Sequence, residues 1–455
     1  MRTIAFVLLL LSFTSNGLAQ KISKKEAIFD LEYFNKLLLE VHYNPFLYCS
    51  ESRYKKESKQ LIESLHDSVN TKIFTLQLSA LTAILGDAHT SPTIIQSVFK
   101  SDYAKPLFLP IAFVADEKMH LFSNGKLNSD IIPAGAEILS VNHISISKFY
   151  KKAIGFSGGE EAYKKAIATR MLSYNLYLSG LKAPFIIDYR FKGQHLKKRI
   201  EAGTSLGKLI KDVFPNIAGK PFEFKVMENK LGYIQLNTLE GNYEPYMKFF
   251  DSCFSVVKRN GIRAVAIDIR KNTGGNSINA DLLLGYFNKS RYNLSGIKNW
   301  KISQAYKDLL ISNGDTANHY LQQLNNSIWK IGDCMPKEPR YISPDLFFDG
   351  KVYLLTGPIT FSSANMLADG VKKFKMATLI GEPTGEKTTD FGESYHLILP
   401  NSRITVSIST SLDEGVDCKS YSNQTVIPDL LIKTSHLQLI ANEDPLLSCL
   451  LSLAK

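Results

Sequence analysis

The fold is indicated most clearly by the stretch of sequence from residue 231 to residue 269. It contains the apolar run LGYIQL (231–236), the amphipathic run YMKFFDSCFSVVK (246–258) and the apolar run AVAIDI (264–269). Short apolar runs are typical of buried strands, and a helix between two of them is typical of a parallel or mixed sheet covered by helices. We therefore predict strand, helix and strand in a domain of the α/β class.

The same pattern recurs farther along the chain. A third strand is predicted from Val352 to Thr356, and a helix follows from Ser363 to Phe374. Residues 293–344, between the second and third strands, are polar and contain tryptophan and tyrosine. This insertion is compatible with a lid over a site and equally with a surface insertion that has no role in the site.

The chain before this core has a different pattern of apolar residues. From about Lys24 to Leu85 apolar residues recur at helical spacing, which predicts a helical N-terminal domain over 20–104. Short β-rich runs follow over 105–205, where Ile132 to Asn142 resembles the central strand region of a PDZ-like module. A chain of 455 residues is expected to form more than one domain, and the core then occupies 206–455.

The N-terminus has the pattern of a secretory signal peptide. Arg2 precedes the apolar run Ile4 to Leu11, and the small residues of Gly17-Leu18-Ala19 precede Gln20. We predict a signal peptide over 1–19 and export to a periplasm or to the outside of the cell. No later run approaches about 20 apolar residues, so stable membrane insertion is not expected.

Charge and cysteine usage argue against several classes of partner. The formal charge is +11, but the basic residues are spread in pairs such as Lys151-Lys152 and Lys372-Lys373, which indicates a solvated surface and no nucleic-acid partner. No metal-ligand spacing is found, and no cofactor is predicted. The sequence leaves the oligomeric state open. The spacing of the five cysteines does not determine which of them form disulfides: Cys49, Cys253, Cys334, Cys418 and Cys449.

The segment Thr360 to Asn365 (TFSSAN) lies where a predicted strand gives way to a predicted helix. A hydroxyl at this place lies at a helix N-terminus, where free N–H groups and the helix dipole favour a developing negative charge, as acyl transfer requires. Alternatively, Ser362 or Ser363 only caps the helix.

The segment Asp268 to Asn276 (DIRKNTGGN) follows another predicted strand. Its adjacent glycines, Gly274 and Gly275, allow a close approach of the backbone to a ligand and can present N–H groups to an oxyanion. An ordinary turn after the strand is the alternative.

Taken together and in order, these two segments and Ile380 to Gly385 resemble the tail-specific (C-terminal processing) peptidases and their tricorn-like relatives. The resemblance extends from about Asp87 to Pro428-Asp429. It implies a ClpP/crotonase-like core with a PDZ-like module, and a polypeptide substrate that is unfolded or a C-terminal segment. It also implies Ser362 as the nucleophile of an acyl-enzyme, with the Ser363 N–H and the Gly274-Gly275 loop as the oxyanion hole.

The resemblance leaves two candidates for the base. Lys387 lies 25 residues after Ser362, as in one branch of the family, and a desolvated lysine can act as a base. His89, within Gly86 to Thr90, resembles the histidine of the tricorn-like branch, and imidazole titrates near neutrality. We favour His89. The tricorn-like branch also has a glutamate near the position of Gln424, and no carboxylate is present there.

Two rival interpretations follow. The lost carboxylate favours a degenerate peptidase that binds peptides or an apolar ligand without cleaving them. An esterase acting through Ser157 is the second rival, since Gly155 to Gly159 matches G-x-S-x-G, although the preceding residues are predicted to be helical. The segment Gly381 to Thr388 resembles a phosphate-binding loop, but Glu386 would repel phosphate.

Overall fold

The structure is a computed structural model that describes residues 21–93, 104–127, 130–213, 219–419 and 422–454. The predicted signal peptide, residues 1–19, lies outside the described residues. Within the described ranges, no helix combines the length and the apolar character that crossing a membrane would require.

The first part of the chain is mainly helical. Ser23 caps the first helix in a reciprocal capping box with Glu26, and Asn70 caps the third helix. The apolar faces of these helices share one core with Val406 and Ile408 from a strand near the other end of the chain. The elements are β1 (Lys21–Ser23), α1 (Lys24–Val41), α2 (Glu51–Ser64), β2 (Ser68–Asn70), α3 (Thr71–Ala83) and β3 (Ser91–Pro92).

A separate antiparallel sheet follows, with strand order β4-β5-β6-β8-β9 and β7 paired to β6. Helices cover it and bury Ile138, Tyr150 and Phe185 in its own core. The PDZ-like assignment of this region stays a prediction. The elements are β4 (Phe113–Ala115), β5 (Leu121–Ser123), β6 (Glu137–Val141), β7 (Ile144–Ser145), α4 (Ile146–Ile154), α5 (Glu161–Arg170), α6 (Leu172–Leu178), β8 (Phe185–Phe191) and β9 (Gln194–Ile200).

The rest of the chain forms two sheets. Its elements are α7 (Leu206–Val213), β10 (Phe222–Met227), β11 (Leu231–Leu236), α8 (Tyr243–Arg259), β12 (Ala264–Asp268), α9 (Ser277–Gly285), β13 (Lys298–Lys301), α10 (Gln304–Ser312), β14 (Ile328–Ile331), β15 (Lys351–Thr356), α11 (Ser363–Lys373), β16 (Thr378–Gly381), β17 (Asp390–Ile398), β18 (Thr405–Asp413), β19 (Leu430–Leu431), α12 (His436–Ala441) and α13 (Pro445–Leu453). Single 3-10 turns lie at Glu228–Lys230 and His319–Gln322.

The main sheet has the order β10-β11-β12-β15-β16-β19, and every pair except β10-β11 is parallel. One face packs on α8, α9 and α11, where Phe250, Leu283 and Leu367 are buried. The other face packs on α13 through Leu446 and Leu450. Burial on both faces explains the nearly continuous apolar runs. The predicted α/β class and its three strands are confirmed.

The second sheet joins distant parts of the chain. Its order is β14-β13-β18-β17, and β3 pairs with β18 so that Pro92 faces Val406. The predicted insertion, 293–344, supplies β13 and β14 to this sheet. A disulfide links Cys334 in the insertion to Cys418 after β18.

This topology places three loops at one edge of the main sheet, because the carboxyl ends of parallel strands lie on the same side. The loops follow β12, β15 and β16. The Phe361 N–H donates to the Asn272 carbonyl (3.1 Å), and the Gly385 N–H donates to the Thr360 carbonyl (2.9 Å). Backbone hydrogen bonds therefore join the three loops into one surface.

Candidate active site

Ser362 lies between the loop after β15 and the first turn of α11. Its backbone has φ 52° and ψ −131°. A positive φ is rare for a residue other than glycine and costs of order 1–3 kcal/mol. The side chain forms no capping hydrogen bond with the helix, so the capping alternative does not apply to Ser362. Its half-buried hydroxyl is presented at a helix N-terminus.

The two glycines after β12 place backbone directly against this serine. A Cβ built on Gly274 would lie 2.6 Å from Ser362 Cβ, and one built on Gly275 would lie 2.2 Å from Glu240 N. The two residues have φ of 101° and 134°, which also favours glycine. Ser363 Oγ donates to the Gly275 carbonyl at 2.6 Å. The loop is thereby held against the start of α11.

Two backbone N–H groups beside Ser362 are available to a ligand. In the part of the chain that the structure describes, the amides of Gly275 and Ser363 donate no hydrogen bond, whereas the Gly274 amide donates to Asn272 Oδ1 at 2.8 Å. Paired donors next to a hydroxyl can stabilise an oxyanion. The structure thus brings together the residues predicted as nucleophile and oxyanion hole, with Gly275 as the glycine whose amide is available.

His89 reaches the same site from the loop between α3 and β3. Its ring lies against the Phe361 ring, with centroids 4.6 Å apart. Both ring nitrogens are buried, and neither forms a hydrogen bond among the described residues. Burial lowers the pKa of His89, and the charges of Asp87 and Glu393 only partly oppose this. The imidazole is therefore neutral near pH 7, as a general base must be.

Asp87 fixes the loop that carries His89. Its carboxylate accepts from His42 Nε2 (3.1 Å), from Ser409 Oγ (2.6 Å) and from the His89 backbone N–H (2.8 Å). Burial alone would raise the pKa of Asp87, but the hydrogen bond and charge of His42 lead the effects that lower it to about 2. Asp87 is thus a buried anion that joins α1, β18 and the His89 loop.

Glu386 is the residue of this site that sequence reasoning missed. Its Oε2 accepts a hydrogen bond from the Ser362 backbone N–H at 2.6 Å, and its Oε1 lies 3.3 Å from His89 Nδ1. The carboxylate therefore contacts both the predicted nucleophile and the predicted base. At Gln424, where the family carboxylate was expected, the side chain is exposed and the backbone carbonyl accepts from the Thr388 N–H.

Lys387 occupies a different environment from its neighbour Glu386. Its Nζ lies 4.0 Å from the centre of the Tyr48 ring and 3.6 Å from Glu160 Oε1. Its backbone carbonyl accepts from Asn365 Nδ2. Within the described ranges neither the Lys387 ammonium nor the His89 ring forms a hydrogen bond with Ser362, but the His89 ring contacts Phe361, the residue before the serine.

Two more buried carboxyl groups lie behind Glu386. Asp390 opens β17 and faces Asp413 across the strand pair. Burial, followed by the charge of Asp390, raises the pKa of Glu386; burial, followed by the charge of Asp413, raises the pKa of Asp390. Burial also raises the pKa of Asp413 to about 6. These groups ionise at higher pH than exposed carboxyls, because burial disfavours their charged forms and the charge of one disfavours charge on the next.

The alternative nucleophile is placed unfavourably. Ser157 follows helix α4, whereas a nucleophile elbow requires a preceding strand. Its hydroxyl donates to the Gly158 carbonyl. In the described ranges, no group of three or more His, Cys, Asp or Glu side chains is placed to hold a metal ion.

The fold and this geometry define a serine hydrolase of the α/β class. Residues 230–432 match the model of peptidase family S41. This match over part of the chain supports a serine-type peptidase similar to the S41 family. No curated protein sequence gives a significant match.

Solved structures support the same fold. The chain is similar to mature CPAF, with a TM-score of 0.67 and 16% identity over 95% of this chain and 97% of that one. It is also similar to mature CPAF complexed with lactacystin, with a TM-score of 0.65 and 16% identity over 95% and 98%. At this identity the likeness establishes the architecture, and the roles of individual residues rest on the geometry above.

Proposed function

We propose that the protein is an exported serine peptidase that hydrolyses peptide bonds in unfolded or C-terminal segments through an acyl-enzyme on Ser362. One observation carries the proposal: Ser362 is held at positive φ beside the available amides of Gly275 and Ser363. A hydroxyl in a strained conformation next to two backbone donors is the arrangement that acyl transfer uses.

In the proposed reaction His89 takes the proton of Ser362 as the oxygen attacks the peptide carbonyl. The neutral, buried imidazole fits this role, and among the described residues no hydrogen bond to its nitrogens would compete. Hydrogen bonds between base and nucleophile are often long in unliganded sites and shorten when substrate binds. Glu386, 3.3 Å from Nδ1, then stabilises the imidazolium and orients the ring.

The oxyanion forms against the amides of Gly275 and Ser363. His89 returns its proton to the leaving amine, and the acyl group stays on Ser362 Oγ. Water, deprotonated by His89, attacks the ester and releases the second product. No step requires a cofactor.

A sheet edge near the site supports an extended substrate. Among the described strands β4 pairs only with β5, and α5 and α12 both pack beside it. Tyr163 of α5 stacks on Phe361 next to the nucleophile, with ring centroids 4.7 Å apart. A peptide that added a strand to β4 would therefore pass near Ser362. Such addition requires an unfolded segment.

Export is part of the proposal. The signal-peptide pattern of residues 1–19 is its main support. The disulfide between Cys334 and Cys418 is consistent with it, because disulfides persist in oxidising compartments.

A peptide-binding protein without activity is the second candidate. It is favoured by the exposed Gln424 in place of the family carboxylate. The position of Glu386 next to His89 weighs against it, since this carboxylate can supply the missing charge.

The test is to incubate the mature protein, from Gln20, with a reduced and unfolded model protein. We expect fragments, and we expect a fluorophosphonate reagent to add to Ser362 alone, as mass spectrometry of the peptides would show. Absence of both fragments and adduct, together with tight binding of the unfolded chain, would establish the binding protein instead.

The buried carboxyl groups predict an unusual pH dependence. Glu386 must be ionised to stabilise the imidazolium, so kcat/KM should rise with pH through its raised pKa. Asp390→Asn removes a charge that raises this pKa. The rising limb of the profile should then shift to lower pH.

The measurement is kcat/KM for an uncharged peptide between about pH 5 and about pH 9. Asp251→Asn is the control, because Asp251 accepts a hydrogen bond from Tyr286 elsewhere in the core. If kcat/KM rises at the same pH in Asp390→Asn as in the unmutated protein, the ionisation of Glu386 does not determine this rise.

A further inference from the structure

A cleft of about 870 Å³ lies between β4, α5 and the chain after β19. Its charge is uneven: six Lys or Arg side chains line it, against three Asp or Glu. Asp116 is hydrogen-bonded to His120, and Lys165 is paired with Glu161. The cleft still has an excess of cationic side chains, although the basic residues of the chain as a whole are dispersed.

Lys271, Arg170 and Lys126 line the same cleft. Desolvation lowers the pKa of Lys271, the charges of Arg170 and Lys126 lower it further, and the charge of Asp268 opposes them. A bound anion would relieve the repulsion among the three cations. A guanidinium has five N–H donors and can hold a carboxylate through two of them in parallel, and lysines add point charges.

The cleft adjoins the site of Ser362 through two connections. Lys271 immediately precedes Asn272, whose carbonyl accepts from the Phe361 N–H and whose side chain accepts from the Gly274 N–H. Arg170 ends helix α5, and Tyr163 near the start of this helix stacks on Phe361. Both cations are thus placed by elements that also form the serine site.

The helix sets the distance from the serine site. Seven residues separate Tyr163 from Arg170, which corresponds to about 10 Å along a helix at about 1.5 Å per residue. An extended peptide advances about 3.3 Å per residue and covers this distance in about three residues. A substrate that ran from Ser362 along α5 would therefore place its third or fourth residue from the scissile bond at the cations.

We propose that Lys271, Arg170 and Lys126 form a subsite that selects an aspartate or glutamate side chain at the third or fourth residue from the scissile bond. This inference rests on the proposed peptidase function and adds a substrate preference to it. A carboxylate held by charge-assisted hydrogen bonds contributes about 10-fold or more to binding.

The test uses peptides built on a cleavage site from the digest of the unfolded protein. Both ends are blocked, so that the test side chain is the only anion, and Asp, Asn or Lys stands at the third or fourth residue on either side. At one of these positions kcat/KM should be about 10-fold higher for Asp than for Asn, and lower still for Lys. Lys271→Glu should reduce or invert the Asp to Lys ratio.

The Asp to Lys ratio of kcat/KM is taken within each variant, so a general loss of activity or of folded protein does not change it. Lys36→Glu on α1 makes the same charge change at an exposed position outside the cleft, and it should leave the ratio unchanged. Equal cleavage of Asp and Lys peptides at every position, or a preference that appears only with a free C-terminus, would overturn the subsite while leaving the peptidase in place.

Binding of labelled forms of these peptides to the Ser362→Ala protein, followed by fluorescence anisotropy, separates the two proposals. An Asp preference in binding without cleavage by the unmutated protein would support the subsite and reject the peptidase. Equal binding of Asp and Lys peptides would reject the subsite whatever the activity.

Discussion

Replacing Ser362 by alanine is expected to lower kcat about 10⁶-fold, to the level left by substrate binding and the oxyanion hole alone. The hydroxyl is the only group of the proposed reaction that forms a covalent bond, so no neighbour can replace it. The alanine variant keeps the amides of Gly275 and Ser363. It should therefore still bind substrate with little change in affinity.

Ser157→Ala is the matched control, because it removes the hydroxyl of the G-x-S-x-G segment and tests the esterase alternative. We expect it to keep nearly full activity, since Ser157 donates to its neighbour's carbonyl after a helix. Thermal unfolding of both variants checks that the fold is intact. Loss of activity in Ser157→Ala with retention in Ser362→Ala would show that Ser157, and not Ser362, is the nucleophile.

The second large effect is expected at His89. His89→Ala should reduce kcat by about 10⁴- to 10⁶-fold, because the serine then loses its proton acceptor. Lys387→Met should cost less than about 10-fold, since the ammonium lies over Tyr48 and beside Glu160, and contacts of this kind contribute about 1 kcal/mol.

Single-turnover kinetics on a peptide ester and on an amide would measure both variants. The reverse ranking, with Lys387→Met inactive and His89→Ala active, would show that the lysine moves to Ser362 when substrate binds. In that case the position of Lys387 over Tyr48 would be a resting state.

Much of the main sheet could be predicted from the sequence, because a strand buried on both faces needs an apolar run and its helix needs a periodic one. The apolar runs at 231–236 and 264–269 form β11 and β12, and the periodic run between them forms α8. The meeting of the loops after β12 and β15 then follows from parallel pairing. For these elements the local sequence pattern was sufficient to predict the structure.

The contacts around His89 depend on pairing between distant segments, and no local pattern encodes them. Asp87 accepts from Ser409, 322 residues away, and β3 adds to β18. The disulfide between Cys334 and Cys418 likewise depends on the second sheet. Glu386 belongs with these contacts, because its approach to Ser362 and His89 joins the loop after β16 to two other parts of the chain.

The attachment of the His89 loop to β18 has a consequence for biosynthesis. During translation the nucleophile emerges before Ser409, the residue that holds Asp87. The proposed centre is therefore incomplete until β18 has been made. An enzyme of the proposed kind would endanger its own nascent chain, and this order of assembly would delay its activity until that point.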